Sequence, residues 1–128
     1  VESTRGRLDA SAIARLRELD PSGQGQLLQR VFAAFEGSLL RLMPQIVQAR
    51  DSADAAGIRL VTHTLKSSSA TVGALGLSSL CAEIEALARD QRVPEAAARI
   101  AEMQLEVEAV REALRDMCAT ADRGAGSA

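Results

Sequence analysis

The sequence predicts an all-α protein, an up-down antiparallel four-helix bundle with an additional short N-terminal helix. Three observations lead there. Apolar residues recur at three- and four-residue spacing along most of the chain, as amphipathic helices require. No segment keeps up an apolar–polar alternation, and no Asn-Gly or Asp-Gly pair marks a hairpin. Proline is rare at 3 of 128 residues and aromatics are 2%, so helix is favoured throughout and the core must be aliphatic. Four long apolar stripes joined by short loops can close only as antiparallel neighbours. Their spacing is too irregular for a strict heptad coiled coil.

Each element has its own signals. The first helix is expected from about Ser11 to Leu19, capped by Asp9 or Ser11, stopped at Asp20-Pro21, and docked by Ile13, Leu16 and Leu19. Ser22-Gly23-Gln24-Gly25 makes the turn. The second runs from Gln26 to about Ala49, with Leu27, Leu28, Val31, Phe32, Phe35, Leu39, Leu42 and Ile46 on one face. Pro44 lies inside it and should kink its last turns or start a new helix. The third is capped at Asp51 or Ser52 and reaches about Thr71, with Ile58, Val61, Leu65, Ser68 and Val72 inward. Gly73 and Gly76 bracket a tight connection. Leu77, Leu80, Cys81, Ile84 and Leu87 form the stripe of the fourth. Val93-Pro94 opens the fifth, whose buried face is Ile100, Met103, Val107, Val110, Leu114 and Met117.

The length suits one domain. Residues 1–7 are expected as an N-terminal tail, 8–120 as the bundle and 121–128 as a flexible C-terminal tail with nothing to bury. The chain begins at Val1 without a Met and reads as a segment cut from a longer protein. With 47% hydrophobic and 25% charged residues it reads as globular, and a net charge of −2 gives no reason to expect nucleic acid or direct membrane contact. No apolar run approaches the roughly 20 residues that span a bilayer. Cys81 and Cys118 lie far apart on apolar stripes and read as reduced core thiols. With one histidine they make no zinc pattern.

The single histidine, His63, falls opposite the apolar side of the third helix when residues advance about 100° apiece. Arg59, Lys66, Ser67 and Ala70 lie on the same side, with Ala56 a turn further back. One imidazole, two cations and small neighbours suit a phosphoryl group. Neutral imidazole is a nucleophile near neutral pH, and an ammonium one turn along can stabilise phosphoryl oxygens. A solvated surface histidine among ordinary charges accounts for the same pattern, so the residues alone leave both readings open.

His63-Thr-Leu65-Lys66-Ser67-Ser68-Ser69, then Gly73-Ala74, then Leu77, Leu80, Cys81 and Ile84-Glu85, resembles the signature of histidine-containing phosphotransfer (HPt) domains. The resemblance extends over about Leu8 to Ala119 and joins His, Lys and small residues at fixed offsets. It implies that His63 accepts a phosphoryl group through Nε2 and that Lys66 stabilises its charge. Ser67 stands where the family usually has glycine. Ala56, Arg59, Leu60, Ser67 and Ala70 would meet a partner, while Leu65, Ser68, Gly73, Cys81 and Glu85 would serve the fold. The implied function is a phosphohistidine carrier between receiver-domain aspartates in a two-component relay, cytoplasmic and monomeric, as part of a hybrid sensor kinase. No cofactor is expected in this chain, Mg²⁺ belonging to the receiver, and no glycine-rich nucleotide loop supports autokinase activity. Two alternatives stay open: a helical docking module that sequesters a partner, and a chemotaxis-kinase-like substrate domain phosphorylated from ATP. The dimerisation helix pair of a sensor kinase fits less well, since four helices are present in one chain.

Overall fold

The structure, a computed structural model, describes residues 8–24 and 26–126, with side chains through Ala119. Within these residues every regular element is a helix: α1 (Ala10–Glu18), α2 (Leu27–Asp51), α3 (Ala55–Thr71), α4 (Leu75–Arg89) and α5 (Val93–Gly126). Helices α2 to α5 pack around one core, each against the next, and α5 closes back onto α2. The strand directions of ordinary hairpins have their helical counterpart here. Lys66 meets Ser78 while His63 meets Glu85, so α3 and α4 run antiparallel, and their pairing is the most extensive in the molecule. The all-α bundle with a short leading helix is therefore the observed architecture.

The stripes predicted from spacing make the core. Leu39, Ile46, Ile58, Leu65, Leu77, Ile84, Ile100, Met103 and Leu114 are fully buried. Several details differ from expectation. Leu19 is 76% exposed and Leu16 half-buried, so of the three expected residues Ile13 docks α1, joined by Ala12. Asp9 caps it by accepting the Ala12 amide, so the helix starts a residue early and ends before Leu19 can turn inward. On α3 the buried hydroxyls are Thr62 and Ser69, with Ser68 half-buried. Thr62 is tolerated there because its hydroxyl donates to the Ile58 carbonyl at 2.8 Å.

Pro44 starts no new helix, and α2 continues through it to Asp51. The missing amide would have bonded the carbonyl of Leu40, and Leu40 is 67% exposed, so water can take that role. Because α2 runs on, Ser52 closes it and the cap of α3 passes to Asp54, whose carboxylate accepts the Gly57 amide at 3.1 Å. The last helix extends past the expected end of the bundle to Gly126, since Ala119, Ala121 and Arg123 favour helix and no proline intervenes. The expected N-terminal tail lies outside the described residues, as do residues 127–128 and the side chains from Thr120 of the expected C-terminal tail.

The α3–α4 turn ties the N-terminal segment to the bundle. Gly73 adopts φ +81°, and its carbonyl accepts the Asp9 amide at 2.6 Å. A Cβ at this position would lie 3.1 Å from both the backbone nitrogen and oxygen of Asp9. Glycine is needed there for conformation and for space. Gly76, by contrast, falls in the first turn of α4.

Candidate functional site

His63 is on the outward face of α3, with 66% of its side chain exposed. Its Nδ1 lies 2.9 Å from Oε2 of Glu85, which reaches across from α4. The other oxygen of the same carboxylate accepts from Lys66 Nζ at 2.6 Å. Glu85 thus bridges the imidazole and the ammonium, and only 13% of its side chain is exposed. The hydrogen bond from Lys66, then that from His63, together with their charge, holds the Glu85 carboxyl below the ordinary carboxylate range despite partial burial. An ionised carboxylate can only accept, so Nδ1 is the donor in this contact, and in the neutral ring the lone pair then falls on Nε2.

This geometry corrects the expectation for Glu85. The resemblance implies a fold-serving position, and in the structure Glu85 touches both groups singled out for chemistry. Lys66 also differs from a free cation, because its charge is paired on the Nδ1 side of the ring. The register that makes the contact is set locally: Ser78 donates to the Lys66 carbonyl at 2.9 Å, pinning α4 to α3 at one of Glu85's own partners.

Around His63, Ala56, Arg59, Leu60, Ser67 and Ala70 are all exposed. Leu60, at 66% exposure, is the large apolar side chain of this surface. Arg59 has no ion-pair partner among the described residues. Ser67 contributes its backbone carbonyl as acceptor for the Thr71 hydroxyl at 3.1 Å. Thr64 and Ser68 bond back to the carbonyls of Leu60 and Thr64, so the hydroxyls flanking the site are largely spent on the helix itself. Beneath the site Cys81 is fully buried, and burial first, with the nearby Glu85 charge, pushes its thiol up to about 12. It is an inert core group.

An exposed imidazole oriented by an acid from the neighbouring helix of a four-helix bundle defines a class. The model of the Hpt domain family matches residues 30–113, and the chain belongs to that family, whose members are phosphotransfer carriers of two-component signalling. Among solved structures it is similar to histidine-containing phosphotransfer protein B (HptB) from Pseudomonas aeruginosa PAO1. The two share 27% identity and a TM-score of 0.74 over 89% of this chain and 96% of that one. Curated protein sequences give no significant match. Among the described residues no helix is long and apolar enough to cross a membrane.

Proposed function

We propose that His63 receives a phosphoryl group from the aspartyl phosphate of one receiver domain and passes it to the aspartate of another. The observation that carries this reading is the Nδ1–Glu85 contact, which leaves Nε2 as the outward nucleophile. The Nε2 lone pair attacks phosphorus in line, and the P–O bond to the receiver aspartate breaks with its electron pair going to that carboxylate. No proton need move. The proton on Nδ1 stays, the ring becomes cationic, and Glu85 faces that new charge. The return step reverses the bonds onto the second receiver. Glu85 is a positioning residue in this scheme, as the acid is in a nucleophile–base–acid triad. The positive charge that the phosphoryl oxygens need is supplied from the α3 surface around the imidazole.

The receiver supplies Mg²⁺ and its own acidic pocket, and docks on Ala56, Arg59, Leu60, Ser67 and Ala70. We place the domain in the cytoplasm, as a monomer within or beside a hybrid sensor kinase, without autokinase activity. Mixing it with a phosphorylated receiver should yield acid-labile, alkali-stable phosphate on this chain, and none on His63→Gln. Labelling only by an ATP-bound kinase domain would favour the chemotaxis-type alternative. Tight binding that survives His63→Gln, with no label on the parent, would favour a docking module.

A further inference from the structure

The two edges of the His63 ring have different surroundings. On the Nδ1 edge Glu85 bridges to Lys66, and the carboxylate and ammonium offset one another. Nε2 lies on the opposite edge of the ring, away from that pair. The turn of α3 preceding His63 lies on its N-terminal side, and Lys66 on its C-terminal side. That turn holds Arg59 and Leu60, and Arg59 is four residues before His63, a spacing at which side chains of one helix face meet. Ala56, Leu60, Ser67 and Ala70, the remaining exposed neighbours, carry no charge. Arg59 is exposed and makes no ion pair among the described residues, and a guanidinium can grip two phosphoryl oxygens at once.

We infer that Arg59, rather than Lys66, is the cation that meets the phosphoryl group on Nε2, while Lys66 acts through Glu85 to fix the imidazole proton on Nδ1. This division of labour rests on His63 being the phospho-acceptor. It reverses the roles that spacing alone gives the two cations, since Lys66 is only three residues from His63.

The test needs no receiver. The domain is incubated with potassium phosphoramidate, and phosphorylation is followed by ³¹P NMR alongside ¹⁵N NMR of the imidazole. In this reaction the Nε2–P bond forms as the donor P–N bond breaks, the electron pair leaves with ammonia, and the Nδ1 proton stays in place. Arg59→Ala should slow phosphorylation roughly three- to fivefold, the scale of an exposed charge contact, and leave the ¹⁵N pattern of the unphosphorylated ring as in the parent. Arg59→Lys should restore part of the rate. Lys66→Ala should instead redistribute the proton between Nδ1 and Nε2. Arg59→Ala reacting at the parental rate, or disturbing the ring proton as Lys66→Ala does, overturns the assignment. A parent that gives no phosphohistidine signal, or a signal that persists in His63→Gln, sinks the underlying acceptor reading instead.

Discussion

Glu85→Gln separates charge from shape at the site. Glutamine keeps the length of the side chain and can still accept from Nδ1 through its amide oxygen, so the packing of α3 on α4 should survive. What disappears is the negative charge facing a ring that turns cationic as phosphorus is attacked. A hydrogen bond to an ionised partner contributes about 1.5–3 kcal/mol against about 1 kcal/mol for a neutral one. The carboxylate is well covered at 13% exposure, but the imidazole is 66% exposed, so solvent screens the pair and the lower end applies. A loss of about 0.5 kcal/mol corresponds to roughly a twofold slower transfer. Stopped transfer from a phosphorylated receiver measures it, with circular dichroism to verify the fold. Parental transfer by folded Glu85→Gln would refute the claim that Glu85 supports the reacting ring.

The remaining predictions address stability and access. Glu85 has its folded-state pKa depressed below the ordinary 4.5, so its contacts stabilise the fold fully above that pH and lose their contribution as pH falls through the folded value. The stability gap between the parent and Glu85→Gln should therefore narrow between pH 7 and pH 3 in urea titrations; a constant gap would show the ion pair to be irrelevant. Gly73→Ala should destabilise by about 1–2 kcal/mol, from the left-handed backbone and the contact its Cβ makes with Asp9, and an unchanged urea midpoint would contradict it. Tryptophan at Ser67 or Ala70 should block receiver transfer by well over tenfold while the bundle melts normally, because both positions are exposed. A variant that unfolds instead would place them in the packing. His63→Gln should abolish phosphorylation without loss of stability, since the ring buries little and its neighbours can repair with water.

Periodicity made the fold legible because burial in a helical bundle follows directly from three- and four-residue spacing. Ile58, Val61 and Leu65 could be assigned inward, and Ala56, Arg59, Leu60, His63, Ser67 and Ala70 outward, from one helical wheel. The sequence is less legible where a choice of one or two residues decides the outcome. Leu19 continues the stripe of α1 on paper, yet the helix stops a residue before it. Asp54 outcompetes Asp51 and Ser52 as a cap only because α2 continues past an exposed Pro44. Glu85 was invisible for a different reason: its contact is between helices, and a wheel treats each helix alone. A signal was nonetheless present. His63 and Glu85 are each eleven residues from Ala74, and in an antiparallel helix pair such positions lie level with one another.

That symmetry also explains how a solvent-facing histidine can be held in one protonation pattern. Long side chains on a single helix surface are mobile and screened, and an acid placed at i+4 on α3 would be as exposed as His63 itself. Drawing the acid from α4 places it in the cleft between two helices, where it is largely covered and already ordered by packing. Lys66 then keeps it ionised from the α3 side. The arrangement depends on the register of the pair, and that register is set by the Gly73 turn and by Ser78 bonded to the Lys66 carbonyl. Sliding α4 by a single turn, about 5.4 Å, would carry Glu85 out of reach of both partners. The nucleophile's orientation is therefore a property of the α3–α4 hairpin, and a change at the turn ten residues from His63 should reach the chemistry through that register.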